Sequence, residues 1–120
     1  IDDPTYSETW INPDNVSNLF GSWTNHVVTY DNTAKEFKYY VDGALFNTSA
    51  ASWTEDLVFA SSGQIVLGCA QFMTDPSLTS SHGAEGWAGY FSGQMDEIRI
   101  FNKALSSTEV TELYTEVAGE

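Results

Sequence analysis

The sequence predicts an all-β domain, an antiparallel β-sandwich that ends in one short C-terminal helix. Three observations support this fold class. Short stretches of β-branched and aromatic residues recur along the chain, turn-forming residues separate them at regular intervals, and a helical pattern begins only after Leu105. Many short strands followed by one late helix are typical of a sandwich. The 120 residues show no internal repeat or linker, so we expect a single domain over residues 1–120.

The predicted strands begin with a hairpin after Trp23. Residues 26–30 and 36–41 are rich in β-branched and aromatic side chains. Asp42-Gly43 then predicts a two-residue type I′ turn, because that turn needs a positive φ at both central residues. Residues 44–48 are the predicted return strand.

The second half of the chain predicts shorter strands around one long loop. The predicted strands are residues 57–60, 64–70, 90–91 and 94–102. In the last of these, Asp96, Ile98 and Ile100 share one face by alternation. The loop over residues 71–87 is long for a compact domain, and such loops are usually functional or disordered.

The C-terminal helix has a predicted start at Ser106. Ser106 and Glu109 have the spacing of a capping box, in which each side chain bonds the backbone N–H of the other residue. Val110, Leu113 and Val117 then recur at helical spacing, so we expect one apolar face of the helix to pack on the sheet.

The charge balance excludes several classes of partner. The chain has 17 acidic and 4 basic residues, a formal net charge of −13, which repels nucleic acid and anionic membranes. Neutral ligands, cations and basic protein surfaces remain. No apolar run approaches the roughly 18 residues of a membrane span, so we expect no direct membrane insertion. A single cysteine, Cys69, excludes an intramolecular disulfide and is expected to act as a small buried hydrophobe.

Four motifs follow one another between residues 23 and 106. They are WTNHVVTYD at residues 23–31, FKYYVDG at 37–43, IVLG at 65–68 and FSGQMDEIRIFNKALS at 91–106. In this order they resemble the laminin-G-like family of concanavalin A-like domains. The resemblance implies a jelly-roll sandwich, an extracellular or cell-surface location and a binding role more than a catalytic one. Because lectins, laminin modules and glycoside hydrolases share this fold, the fold alone does not decide the function.

The front of the chain departs from the family pattern. The first strands of such a domain pair beside the last one, and residues 1–22 are too few to supply them. The sequence therefore predicts either a reduced domain or the later part of a longer polypeptide that carries other domains.

Aromatic and amide side chains in the loops are the candidate sugar-binding residues. An accessible ring stacks on a pyranose face, while a neighbouring amide or carboxylate bonds the hydroxyl groups. This chemistry selects Trp53 and Trp87, with Phe72 and Asn47 as neighbours in sequence. Both tryptophans could instead fold over an end of the sandwich. Trp23 and Tyr30 lie in the strand motif and are expected in the core.

Calcium is the cofactor that the resemblance implies. Related lectins and enzymes hold a structural Ca²⁺ with an Asp at the start of the last long strand, and Asp96 matches that position. Asp75 in the long loop is a second, weaker candidate ligand. The alternative role for Asp96 is a hydrogen bond to nearby backbone.

Catalysis is not expected. Hydrolases of this fold place acidic residues at alternating positions on one strand to supply a nucleophile and a general acid. The sequence has no such run, and the neighbouring Asp96 and Glu97 leave opposite faces of a strand.

Two functions remain open from the sequence. The first is a non-catalytic extracellular carbohydrate-binding or adhesion module whose partner is a glycan. The second is a protein–protein interaction or structural module of a larger surface or secreted assembly, whose partner is an extracellular protein. A glycan ligand that depends on the loop tryptophans would distinguish the first from the second.

Overall fold

The computed structural model describes residues 16–17, 20–58, 63–78, 86 and 88–119. The chain divides into two units. We call one the sheet–helix unit; its described residues are 16–17, 20–57 and 99–119. We call the other the loop unit; its described residues are 58, 63–78, 86 and 88–98. Within these ranges, no helix has the length and apolar character needed to cross a membrane.

The sheet–helix unit contains one antiparallel sheet of three strands in the order β1-β2-β3. The strands are β1, His26–Asp31, β2, Glu36–Val41, and β3, Ala44–Ala50. β1 and β2 were expected from their β-branched and aromatic content, and β3 was expected as the return strand of the hairpin. The predicted hairpin turn is confirmed, since Asp42 and Gly43 have φ of 49° and 76°.

The turn between β1 and β2 is held by the carboxylate of Asp31. Its Oδ1 accepts the backbone N–H groups of Thr33 at 2.8 Å and Ala34 at 3.0 Å. The bonds from Ala34 and then Thr33 lower the pKa of Asp31 below its ordinary value, because they favour the charged carboxylate. The side chain thus replaces hydrogen bonds that the turn backbone cannot make to a strand.

One helix, α1 over Ser107–Ala118, follows the predicted capping box. The backbone N–H of Glu109 donates to Ser106 Oγ at 3.3 Å, and the backbone N–H of Ser106 donates to Glu109 Oε2 at 2.8 Å. These bonds satisfy donors that the first turn of a helix leaves unpaired. The predicted helix start is confirmed.

Helix α1 covers the side of the sheet that carries Tyr40. The buried core consists of Tyr40, Leu105 and Val110, with Val27 and Leu113 packed against it. Two polar bonds hold the same contact, from Tyr40 Oη to Ser107 Oγ at 3.1 Å and from Thr111 Oγ1 to the Gly43 carbonyl at 3.1 Å. A Cβ on Gly43 would lie 3.0 Å from the Tyr114 side chain, so glycine is needed for this close approach as well as for the turn.

In its described part the loop unit contains turns and no strand. A 3₁₀ turn spans Gln71–Met73 and closes with a bond from Met73 N to the Ala70 carbonyl at 2.9 Å. Tyr90 Oη donates to the Met73 carbonyl at 3.1 Å, and Phe91 N donates to the Gly68 carbonyl at 2.6 Å. These bonds link the two ends of the unit. Cys69, expected to be buried, is half-buried.

The fold prediction is confirmed in part. The antiparallel sheet and the late helix are present, but the predicted strands at residues 64–70, 90–91 and 94–102, and the described part of 57–60, form no strand ladder. A strand requires hydrogen bonds to a neighbour, and side-chain alternation supplies none of them. Glu97 also has a φ of 51°, which interrupts an extended backbone. The second sheet of a sandwich is therefore not seen among the described residues.

Candidate functional site

The side of the sheet opposite helix α1 carries a group of six aromatic rings. The register pairs Val28 with Tyr39 and Tyr30 with Phe37, so these four side chains share one side and Tyr40 lies on the other. The aromatic face, as we call this side, consists of His26, Tyr30, Phe37, Tyr39, Phe46 and Trp53.

Trp53 lies on this face and joins a three-ring cluster. The ring centroids of Tyr30 and Phe37 are 4.6 Å apart. The Trp53 ring centroid lies 5.9 Å from that of Tyr30, and it lies 5.8 Å from that of Phe37 in an edge-to-face arrangement. Trp53 Nε1 donates to Tyr30 Oη at 3.0 Å. The indole is half-buried, so its orientation is set by packing and a hydrogen bond while part of the ring stays accessible.

The loop that carries Trp53 is tied to the β1–β2 turn. Lys35 Nζ donates to Asp56 Oδ1 at 2.6 Å, and Asn32 Oδ1 accepts the backbone N–H of Leu57 at 2.8 Å. Asn32 Oδ1 also lies 3.3 Å from Lys35 Nζ. The loop is therefore anchored after Trp53, which restricts the positions that the indole can take.

A second group of rings surrounds His26 and Tyr39. The two rings stack with centroids 5.9 Å apart and planes 13° apart, and His26 Nδ1 lies 2.6 Å from Tyr39 Oη. The other ring nitrogen of His26 lies 2.8 Å from Thr24 Oγ1. Burial raises the pKa of the Tyr39 hydroxyl above its ordinary value, so this hydroxyl stays protonated at neutral pH. Phe46 packs edge-to-face on Tyr39 at 5.8 Å.

A β-bulge determines which side of the sheet Asn47 occupies. Tyr40 pairs with Leu45 and Tyr39 pairs with Asn47, so Phe46 is the extra residue in β3. In a regular ladder Tyr39 would face Phe46, and Asn47 would face Lys38 on the helix side. The bulge instead places the amide of Asn47 on the side of the aromatic face, where it adds hydrogen-bonding capacity beside the rings.

The predicted site residues have different outcomes. Trp53 and Asn47 lie on the same side of the sheet. Phe72 lies in the 3₁₀ turn of the loop unit, and Trp87 lies outside the described residues. Trp23 was expected in the core, but it precedes β1 and is 66% exposed.

The sequence reasoning missed Phe37, Tyr39 and Phe46 as parts of a site and assigned Tyr30 to the core. The signal was present, since Phe37 and Tyr39 alternate along β2 and Tyr30 occupies the matching phase of β1. What the sequence did not contain was the side on which helix α1 packs.

The predicted calcium ligands do not assemble a metal site within the described residues. Asp96 Oδ1 accepts the backbone N–H of its neighbour Glu97 at 2.8 Å, the alternative role considered for it. Asp75 is exposed in the turn before Pro76. Ca²⁺ needs about six to eight oxygen ligands, and the described ranges hold no group of three or more His, Cys, Asp or Glu side chains able to share an ion.

Comparison with known proteins agrees with the sheet and the motifs. A chain of an S-layer domain-containing protein from Clostridium thermocellum (residues 221–444) is similar, with 26% sequence identity and a TM-score of 0.55. The similarity covers 82% of this chain but 42% of that one, so the chain spans less than half of the solved domain. No curated protein sequence matches it significantly.

The family assignment rests on the sequence as a whole. The profile described as the concanavalin A-like lectin/glucanases superfamily matches residues 1–111, which include all three strands and the start of α1. That superfamily contains both enzymes and non-catalytic binding proteins. The four motifs, the antiparallel sheet and this match agree, and the chain belongs to the concanavalin A-like lectin/glucanases superfamily.

Proposed function

We propose that this chain is a non-catalytic carbohydrate-binding module of an extracellular or cell-surface protein, and that the aromatic face binds the glycan. The single observation that carries the proposal is the Trp53 cluster, in which Tyr30 and Phe37 hold a partly accessible indole on the side of the sheet opposite helix α1. Flat rings of this kind stack on the apolar face of a pyranose. Asn47 lies on the same side and supplies a donor and an acceptor for hydroxyl groups.

A binding role without catalysis is supported by the arrangement of acidic residues. Glycoside hydrolysis needs two carboxyl groups at a defined separation across the sugar. The strand positions of the aromatic face carry no Asp or Glu, and the sequence has no alternating acidic run. The similarity to an S-layer domain-containing protein supports a cell-surface location.

The test is a glycan array probed with the wild type and matched tryptophan variants. We expect Trp53→Ala to lose at least about fivefold in affinity, because aromatic stacking contributes about 1 kcal/mol or more. Trp23→Ala removes an exposed indole outside the cluster and should bind as the wild type does. Trp53→Phe keeps a ring but loses the bond to Tyr30, so an intermediate loss is expected. Binding that Trp53→Ala leaves unchanged, in a variant with a native circular dichroism spectrum, would refute the proposal.

The second candidate, a protein-interaction or structural module, is favoured by residues 94–101. This segment alternates as a strand does, belongs to no strand ladder among the described residues, and exposes Ile98 by 56% and Ile100 by 75%. Exposed alternating apolar residues are a feature of a surface that adds a strand from a partner. Hydrogen exchange tests this candidate: rapid exchange over residues 94–101 is expected in the isolated chain, and strong protection would contradict it.

Calcium binding remains a prediction from the family resemblance. Isothermal titration with Ca²⁺, using Asp96→Asn and Asp75→Asn as variants, tests it. Binding that both variants retain would exclude these two carboxylates as ligands.

A further inference from the structure

All four basic side chains of the protein lie in the described residues, and each is bonded to a carboxylate. Lys35 Nζ lies 2.6 Å from Asp56 Oδ1, and Lys38 Nζ lies 3.2 Å from Glu36 Oε1. Arg99 pairs with Glu116 at 3.5 Å, and Lys103 pairs with Glu109. Each lysine and arginine therefore has a carboxylate neighbour in this structure.

The aromatic face itself carries no formally charged side chain on its strands. Its strand positions are His26, Val28 and Tyr30 of β1, Phe37, Tyr39 and Val41 of β2, and Ala44, Phe46, Asn47 and Ser49 of β3. Lys38 belongs to the opposite phase of β2, with Tyr40. His26 is the one imidazole of the face, and its two nitrogens face the hydroxyls of Tyr39 and Thr24.

A charged ligand would meet an unfavourable environment there. A sulfate or carboxylate group placed on the rings loses water, and that loss is compensated only by a cation or by strong hydrogen-bond donors. The nearest cation along the Trp53 loop, Lys35, is held by Asp56 and Asn32. The net charge of −13 adds repulsion at longer range.

We infer that the aromatic face accepts uncharged glycans and rejects sulfated or uronate-bearing ones. This inference rests on the proposed function and specifies the ligand class of the same site. Rings, an amide and hydroxyl groups match the apolar faces and hydroxyls of neutral sugars. Because no lysine or arginine extends from the strand positions of this face, an anionic sugar finds no opposite charge there and should bind more weakly.

The experiment uses polymers that exist in neutral and anionic forms. The protein is titrated at pH 7 with cellulose oligosaccharides and dextran, and with carboxymethylated cellulose and dextran sulfate, alongside the glycan array. We expect each anionic form to bind at least about tenfold more weakly than its neutral form at 20 mM salt. Since the Debye length falls to roughly 3 Å at 1 M salt, high salt should narrow this gap while leaving binding of the neutral polymer unchanged.

One variant places a cation where the face lacks one, and two others serve as controls. Val28 is 59% exposed on this side, so Val28→Lys adds a charge without removing a core residue. It should strengthen binding of the anionic polymers at least about threefold, because the lysine ammonium attracts their sulfate and carboxylate groups. Val28→Gln is the matched uncharged control and should not. Lys38→Gln removes a cation from the opposite side and should leave the preference as it is.

The outcomes separate this inference from the proposed function. An anionic polymer that binds as tightly as its neutral form, with binding lost in Trp53→Ala, would overturn the charge preference and leave the carbohydrate-binding function standing. Absence of binding to every glycan, neutral or anionic, would overturn both. Neutral binding that depends on Trp53, together with the gain in Val28→Lys, supports both.

Discussion

The contact between the hairpin and helix α1 gives the sharpest prediction on stability. Gly43 has a φ of 76°, and a Cβ built there would lie 3.0 Å from both Cβ and Cδ1 of Tyr114. Gly43→Ala therefore combines two penalties. The left-handed backbone costs an L-residue about 1 to 2 kcal/mol, and the crowded contact costs about 1 to 3 kcal/mol more. We expect the free energy of unfolding to fall by about 2 to 5 kcal/mol.

Gly21 separates the two penalties because it shares only the first. Its φ is 80°, and a Cβ there would have no heavy atom within 4 Å. Gly21→Ala should lose only the backbone penalty of about 1 to 2 kcal/mol. The assay is urea denaturation followed by far-ultraviolet circular dichroism at low temperature, with unchanged denaturant slopes required for the comparison.

A double-mutant cycle with Tyr114→Ala measures the crowding directly. Tyr114→Ala removes Cγ and Cδ1, two of the three Tyr114 atoms that the new Cβ meets, and keeps Cβ. Gly43→Ala should therefore cost less in the Tyr114→Ala background, by part of the crowding penalty of about 1 to 3 kcal/mol. An equal loss in Gly43→Ala and Gly21→Ala, or a coupling energy near zero, would refute the reasoning. The hairpin would then be separated from the helix in solution.

Three further predictions concern the core, the helix cap and the Trp53 loop. Val110 is fully buried, so Val110→Ala should lower the free energy of unfolding by about 2 kcal/mol. The Val117 side chain is half-buried, so the loss in Val117→Ala should be at most half as large, and urea denaturation measures both. The Lys103 ammonium, followed by the backbone and side chain of the capping serine, lowers the pKa of Glu109 from 4.5 to about 2. A carboxyl with a lowered folded pKa stabilises the fold above its unfolded pKa, so that stability should be lost between about pH 4.5 and 2 in an acid titration of the helical signal. Glu109→Gln should flatten the titration over this window, and an unchanged profile would contradict the assignment. Asn32→Ala should speed amide exchange in residues 51–57 severalfold while helix amides keep their protection, because the loop loses an acceptor for its backbone; uniform acceleration would instead indicate global destabilisation.

Local chemistry made part of this fold predictable from sequence. Asp42-Gly43 needs nothing beyond its own backbone to favour the turn, and Ser106 with Glu109 closes its cap within one helical turn. The strands next to the turn followed because a tight hairpin pairs them directly. The strand prediction for residues 94–102 failed for the opposite reason, because a strand there depends on a partner that is distant in sequence.

The candidate site depended even more on tertiary structure. Tyr39 and Tyr40 are adjacent and alike in sequence, yet Tyr40 is buried under α1 while Tyr39 lies on the aromatic face. Only the position of the helix decides between them. Asn47 was predicted for its proximity to Trp53 in sequence, but its place on that face depends on the bulge at Phe46, for which the sequence has no turn or glycine signal.

The excess of acidic over basic side chains also affects how copies of this chain interact with one another. With 17 acids against 4 bases, the excess negative charge is balanced by dissolved cations rather than by the protein itself. Two copies repel each other over roughly 8 Å at physiological salt. Chains held close together on a surface would collect a dense layer of counterions, and the osmotic pressure of that layer would draw in water. Such an array would swell in dilute buffer and contract when salt or a divalent cation is added.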